Sequence, residues 1–566
     1  MNTHPEVRQD KNGNFVTRHV KEIKDAFSRI SGIPAISASV IPVSLGSATC
    51  AFCSLEFERG TEHSCRVNNL IFLTSAMKSV LRACHQAGGR PLIVGGSVRD
   101  AILNRIDGAG SYQSKDIDIE VHGIEDPELL RHHLSARGHV NLTGASFGVY
   151  KIRIGKEDFD ISLPRKDSKT GKGHKGFEVE VDPSLGTVEA FGRRDFTINA
   201  MGYDVGNQHL VDPYGGTQDL ADGILRHTTS AFSEDPLRVL RGVQFAARFG
   251  FELAPETVEE SMSIKDDFNE IAIERVWGEF EKIFSKGIYI SKAIDVLKET
   301  GWIEHFPELA RLEDVPQDPN WHPEGNVLVH LGMSADKASD MLRNGTDRIA
   351  KTGGVTPEDK RMLVFAAMVH DFGKHGAGTQ IHENEDGSVE KITSIGHPVF
   401  GEKPIRDFGE RIGAPSSIIE PVVKLASEHM THVVVGDKEP SSRAVRNLVR
   451  RLGDGKDGAS LRNWAILVDA DQGGRGKASS PGNGWDWYDK ALSMNNTKPP
   501  KVMVDGRMLK DFGLVPGAVF RDIIDAARIA QDNEEFLNVA DAEKWARAHV
   551  ASMGLSPSTA RIDPRL

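Results

Sequence analysis

The chain has 566 residues, 39% of them hydrophobic, and a formal net charge of -12, enough for more than one domain with real apolar cores. No run approaches the ~18 apolar residues of a membrane span, and the first thirty residues are polar and charged, unlike a secretory signal; this reading excludes a membrane protein and expects a cytoplasmic one. The negative balance excludes a broad basic nucleic-acid surface, so any RNA contact has to use local patches and metal ions.

In chain order, Val20 to Ile30 has the pattern of an amphipathic helix, and Ile36 to Phe57 the β-branched texture of strands. Three of the four cysteines fall in this region: Cys50 and Cys53, then His63 and Cys65. Four soft ligands could hold a structural zinc, but the second pair is separated by one residue where zinc sites usually show two to four. Ordinary buried thiols are the alternative. Cys84 falls in a helix-like stretch, and nothing indicates a disulfide framework.

The stretch Pro91 to Glu120 carries the first chemistry. Leu92 to Val94 reads as a buried strand that breaks at Gly95 and Gly96. A helix is predicted next, with Ser97 and Asp100 as a capping box. Two glycines before a helix start let amide groups approach a polyphosphate. Strict alternation from Lys115 to Glu120 predicts a second strand with Ile117, Ile119 and Val121 inward, so Asp116 and Asp118 share one face. Adjacent carboxylates repel unless a cation lies between them, and magnesium suits hard oxygen ligands and phosphates. A pair of solvated acids on an edge strand is the bland alternative.

A further acidic strand follows at 156 to 163, where Asp160 could complete the cluster. Residues 164 to 176, rich in glycine and cations, read as a mobile surface loop or a basic flap over phosphates. Arg193 and Arg194 are paired cations suited to bidentate phosphate contacts. Val211 to Gly216 is a turn signal closing this domain. Glu234 and Asp235 open a predicted helix with Pro236 near its start, which places Asp235 and Arg238 one turn apart. A surface ion pair is the simple reading. The chemical one is base selection: cytosine and adenine both present an amino donor beside a ring-nitrogen acceptor, which a carboxylate next to a guanidinium complements, while uracil and guanine misalign.

GGSVRD at 95 to 100, DID at 116 to 118, RRDFTINAM at 193 to 201, EDPLRVLRGVQFAARFGF at 234 to 251 and ERVWGEFEKI at 274 to 283 together resemble, in order, the motifs of class II tRNA nucleotidyltransferases. These are the CCA-adding enzymes, with bacterial poly(A) polymerases as relatives. The resemblance implies an α+β fold: a nucleotidyltransferase head of mixed sheet and helices, then an all-α neck, body and tail. The corresponding divisions are an N-terminal extension at 1–90, a head at 91–230, a neck at 231–290, a body at 291–500 and a tail at 501–566. It also implies that Asp116 and Asp118 bind catalytic Mg2+, that Gly95, Gly96, Arg99, Arg193, Arg194, Asp195, Asn199 and Arg241 hold the nucleotide, and that Asp235 with Arg238 reads the base. The implied partners are tRNA, CTP and ATP.

Within the body, His322, Glu324, His330, His370, Asp371, Lys374, His397, His429 and Asp471 resemble the H…HD…D pattern of HD-domain phosphohydrolases, at about 322–475. There His330, His370, Asp371 and Asp471 would bind a divalent transition metal that activates water, with Asp469 as the alternative last ligand. Arg443 to Arg451 is a basic helical stripe, read as a solvated face or a tRNA contact. A poly(A) polymerase, or an enzyme adding only A or only CC, uses nearly the same motifs. A reading of another class leaves the head a silent RNA-binding module, with only the HD region active.

Overall fold

The computed structural model describes residues 46–106, 116–144, 148–169, 177–182, 184–434 and 439–555. The chain forms two compact units, Met1–Asp314 with Phe408–Ala414, and Val315–Asp407 with Pro415–Leu566. The helix expected at 20 to 30, the strand texture before residue 46 and the centre of the basic loop lie outside the described residues. Among those described, no helix is long and apolar enough to cross a membrane.

The first unit contains the strands β1 (Ser47–Thr49), β2 (Glu56–Glu58), β3 (Ser64–Arg66), β4 (Arg90–Val94), β5 (Asp116–His122), β6 (His139–Gly144), β7 (Val149–Ile154), β8 (Glu157–Ser162), β9 (Arg165–Lys169), β10 (Phe177–Val181), β11 (Gly202–Asp204) and β12 (His209–Val211). Eight of them make a mixed sheet in the order β3-β12-β11-β4-β5-β8-β7-β6. β4 and β5 are antiparallel neighbours at its centre, and β5 runs parallel to β8. Burial on both faces explains the unbroken apolar run of Leu92, Ile93 and Val94, at most 1% exposed. Register places Leu92 opposite Glu120 and Ile93 opposite Ile119. The face with Ile117, Ile119 and Val121 is buried as its alternation requires. Asp118 and Glu120 share the other face with Leu92 and Val94, which pack under Ala190 and Phe191 of helix Thr187–Gly192.

Three sequence expectations change here, and the eight-stranded sheet reaches back to its edge strand β3, before residue 91. The Ser97–Asp100 capping box does not form: Gly95 turns left-handed at φ 67°, its carbonyl accepts from the Val98 and Arg99 amides, and the helix is already under way at Gly96. Asp100 instead binds Arg99 and Arg248. The ends of the expected basic loop are the paired strands β9 and β10. Helix Leu237–Phe249 begins only after Pro236, so Glu234 and Asp235 precede it rather than filling its first turn. The first unit continues as helices through Ile273–Lys286 and Ile290–Glu299 to Asp314.

The second unit is helical, with one hairpin, Gln380–Glu383 with Val389–Thr393, that an all-α reading did not include. Helices Val327–Asn344, Pro357–Val369, Ser416–Ser427 and Leu461–Gly473 pack together, and Met362 to Val369 are buried without a break. The tail has its own core, including Val504, Leu509, Ile523, Ala527, Ala542 and Ala546. The basic stripe, helix Ser442–Leu452, is divided, with Arg443 and Arg451 exposed and Arg446 and Arg450 turned onto acids. Arg450 makes a bidentate pair with the buried Asp532 at 2.8 and 2.6 Å, Arg446 binds Glu534, and Arg451 binds Glu428.

Candidate active sites

In the head, a cavity of about 860 Å³ brings together Gly95, Gly96, Arg99, Asp118, Arg193, Arg194, Asp195, Asn199, Asp235, Arg238 and Arg241. Asp116 opens β5 two residues before Asp118, on the same face by strand geometry; its side chain is outside the described residues. Asp160 is level with Asp118 on β8 and pairs with Lys151 at 2.5 Å.

Gly95 is fixed by its left-handed backbone, φ 67°, and both glycines face arginine ends. A Cβ on Gly95 would stand 2.9 Å from Arg194 Nη1, and one on Gly96 would stand 3.3 Å from Arg99 Nη2. Arg99 is 4% exposed and lies over the rings of Phe245 and Phe249, at 5.3 and 5.0 Å from their centroids. A polar chain then crosses the floor of the cavity. Arg248 binds Asp100, which binds Arg99. Arg99 Nη1 donates to Asn199 Oδ1 at 2.5 Å, Asn199 Nδ2 donates to Asp195 at 2.9 Å, and Arg241 Nε donates to the other Asp195 oxygen at 2.7 Å.

Burial alone would raise the Asp195 carboxyl, but the charge of Arg241 and the bonds from Asn199 and the Phe196 amide outweigh it, lowering the group from 3.8 to about 2. A depressed carboxyl stabilises the fold fully above its unfolded value, and that contribution disappears as pH falls through the folded one. At neutral pH this amounts to roughly 2 kcal/mol. Asp195→Asn is therefore expected to lose about that much at pH 7 and to flatten the stability loss between about pH 4 and 2, measured by denaturant unfolding across that range.

Asp235 and Arg238 line one cavity but do not pair with each other. Asp235 Oδ2 pairs with Arg275 at 2.7 Å. Arg238 donates to the carbonyls of Ala231 and Arg193, which leaves part of its five-donor fork for a ligand. The motif reading missed this use of Arg275 as well as Glu120. Glu120, 1% exposed, is clamped between His122 and Arg194, each at 3.1 Å. Burial pushes its carboxyl up, yet the His122 bond and the Arg194 charge bring it down to about 2. Arg165, Arg248, Lys282 and Lys286 also line the cavity, giving a net acidic protein a local cationic cavity for anions.

The second unit holds a cluster of buried histidines and aspartates. His330 Nε2 lies 3.2 Å from Asp471 and 3.8 Å from Asp371, and His370 Nε2 lies 3.5 Å from Asp371 and 3.9 Å from Asp471. Asp469 is turned away, accepting from Trp485 Nε1 and the Gly482 amide. His397 and His429 approach the other oxygen of Asp371 at 3.1 and 3.4 Å. Glu324 accepts from His330 Nδ1 at 2.8 Å, and the Nδ1 atoms of His370, His397 and His429 donate to the carbonyls of Ala367, Ser394 and Ala426.

A carbonyl only accepts, so these three rings carry their proton on Nδ1 and turn a lone pair inward. His397 and His429 then set two acceptor nitrogens 3.1 Å apart, both facing a carboxylate oxygen. His370 Nε2 is buried without a hydrogen-bond partner. Such a convergence of acceptors fits a divalent cation. Burial drives His370 down to about 3, so it stays neutral, while Asp371 and Asp471 are held well below the usual range despite burial, the first chiefly by the Lys374 charge and the second by His330 and Arg475. Lys374 binds Asp371 at 2.7 Å and Arg475 approaches Asp471 at 3.4 Å, both lining a cavity of about 670 Å³. Lys374 was visible in the sequence, one turn after Asp371; Arg475 carried no signal.

Fold and head site define a nucleotidyltransferase. Residues 92–226 match the family described as the poly A polymerase head domain, and 250–312 match the probable RNA and SrmB-binding site of polymerase A. The chain is 36% identical over 349 residues to the multifunctional CCA protein of Actinobacillus pleuropneumoniae serotype 5b (strain L20), covering 60% of this chain and 75% of that one. It is 32% identical over 390 residues to the protein of the same name from Nitrosococcus oceani, covering 68% and 84%. The chain belongs to the multifunctional CCA protein family. The fold is similar to that of the Thermotoga maritima CCA-adding enzyme complexed with tRNA (TM-score 0.51, 17% identity, 86% of this chain and 99% of that one) and of the Bacillus stearothermophilus CCA-adding enzyme in complex with CTP (TM-score 0.52, 18% identity, 85% and 99%).

Proposed function

We propose that this protein adds C, C and A to the 3′ end of tRNA, taking them from CTP and ATP without a nucleic-acid template. The observation that carries the reading is the single cationic cavity uniting the glycine turn, the Asp118 face of β5 and the Asp235–Arg238 wall. In this reading the sheet unit is the head, beginning with β3, residues 231–290 are the neck, 291–500 the body and 501–566 the tail.

Asp116 and Asp118 would hold magnesium, whose chemistry is to make the terminal ribose hydroxyl a better nucleophile and to neutralise charge on the α-phosphate and pyrophosphate. The other residues align. Arg99 and Arg194, packed against Gly96 and Gly95, hold the triphosphate, while Asn199 and Asp195 fix the Arg99 and Arg241 guanidiniums in place. Asp235, oriented by Arg275, accepts from the amino group of cytosine or adenine, and Arg238, braced by two carbonyls, donates to the neighbouring ring nitrogen. Asp235→Ala is expected to lower discrimination against UTP and GTP by roughly 10- to 100-fold, read as kcat/KM for each nucleotide; undiminished preference for CTP and ATP would refute the assignment.

The primary experiment is to sequence the 3′ ends made on a trimmed tRNA with all four nucleotides present. CCA ends are the expected product; A tracts without C would identify a poly(A) polymerase instead, and CC or A alone a partial adder.

A second activity is favoured by the convergent imidazole lone pairs of the body. His330, His370, Asp371 and Asp471 would bind a divalent transition metal, with His397 and His429 beside them. Lys374 and Arg475 are placed to receive a phosphate, and hydrolysis of a 2′-phosphate or 2′,3′-cyclic phosphate fits that set of groups.

A further inference from the structure

The hairpin that precedes the head sheet gathers three cysteines and a histidine from sequence positions 15 residues apart. Cys50 and Cys53 bracket the turn between β1 and β2, closed by the Ser54 amide on the Cys50 carbonyl at 2.9 Å and by the Cys50 amide on the Leu55 carbonyl at 3.0 Å. Cys65 lies on β3, and His63 immediately precedes that strand in extended continuation of it, its carbonyl accepting from the Asp212 amide at 2.9 Å. Their one-residue separation, unusual for a zinc pair on a loop, is what a strand requires, because residues two apart point to the same side. His63 and Cys65 are both 8% exposed, with the exposed Ser64 between them.

Two opposite edges of the cluster already have the length of a metal tetrahedron's. Cys50 Sγ and Cys65 Sγ are 3.6 Å apart, and Cys53 Sγ and His63 Nε2 are 3.7 Å apart. Zinc–sulfur bonds of about 2.3 Å and zinc–nitrogen bonds of about 2.0 Å give tetrahedral edges of roughly 3.5 to 3.8 Å, whereas a disulfide needs about 2.05 Å. All four ligand atoms lie within 4.8 Å of one another. The His63 ring is held in plane by stacking on Phe57, with centroids 4.2 Å apart and 6° between planes.

We propose that Cys50, Cys53, His63 and Cys65 bind one structural zinc ion. Four protein ligands leave no open position, so the ion is structural rather than catalytic. It clips the β1–β2 hairpin to β3, the edge strand paired with β12. The same hairpin sends Arg59 into a buried bidentate pair with Asp219, at 2.9 and 3.0 Å, and Asp219 also accepts from Thr197 at 2.7 Å. Thr197 begins the short turn that carries Asn199. The ion thus braces, from outside, the segment that presents Asn199 to the nucleotide cavity.

The test is reconstitution of the full-length, reduced protein with cobalt(II). Thiolate-to-cobalt charge transfer in the near ultraviolet is expected at one equivalent, and zinc should abolish it by displacement. The second-unit cluster contains no cysteine, so His370→Ala should retain the band. Cys53→Ser should lose it, and His63→Cys, which replaces one soft ligand by another, should keep it even if Cys53→Ser folds poorly. In a His370→Ala background, a chelator is expected to lower the Tm of the chain with the intact cysteine cluster and not that of a Cys53→Ser chain that folds. Absence of the band in folded wild type, or a Cys50–Cys65 disulfide in protein purified without reductant, overturns the proposal.

Discussion

Asp118→Asn is expected to reduce nucleotide addition by about 10³-fold or more while leaving the fold unchanged. The side chain points from β5 into the cavity rather than into the Ile117, Ile119, Val121 layer, so the substitution exchanges an anionic oxygen for an amide without altering packing. The amide keeps the shape and loses the charge that would hold a cation against the triphosphate. Removing one preorganised electrostatic group typically costs about 10²- to 10³-fold, and loss of a metal ligand removes positioning as well. Incorporation of labelled CTP into trimmed tRNA, with Tm as the control for folding, measures it. Addition at the wild-type rate would refute the role given to Asp118, and no addition by the wild type would favour the silent-head reading, in which only the body is an enzyme.

The second large effect belongs to the body. His370→Ala should cut metal-dependent release of phosphate from a 2′- or 2′,3′-cyclic phosphate end by about 10²-fold or more, and tRNA nucleotide addition by the same preparation should change by no more than about twofold. His370 is fully buried with its Nε2 lacking a partner, so its removal deletes a ligand atom together with the single Nδ1 bond to the Ala367 carbonyl. The cost to the fold is that of a small cavity, on the order of 1 to 3 kcal/mol, and His370→Gln provides a fuller side chain if the alanine variant is too unstable. Wild-type protein that binds no divalent metal beyond that of the head and the cysteine cluster, and that hydrolyses neither phosphate, would remove this second activity.

Much of the head was legible because its signals are short-range. The apolar run before Gly95, the alternation of β5 and the glycine pair each depend on a few neighbouring residues, and they folded as read. The capping box failed for an equally local reason: Gly95 could turn the chain left-handed, so the helix began before Ser97 could act as its cap. In the body the choice between Asp469 and Asp471 was undecidable from spacing, because both lie near the end of one helix. Trp485 and Gly482 decide it by engaging Asp469, and His330 by facing Asp471.

By itself the sequence determined the chemistry available to this protein: carboxylates at alternate positions of a strand, glycines before a helix, paired arginines, and histidines beside aspartates in an apolar helical region. Tertiary structure decided which of these groups meet. Asp235 pairs with an arginine 40 residues away instead of its helical neighbour, and Arg450 of the basic stripe is consumed by Asp532, 82 residues away. The reason is physical. Strand periodicity and turn preference act over a handful of residues, whereas a charged group leaving water takes whatever opposite charge the packed chain brings within about 3 Å, and no local pattern records that choice.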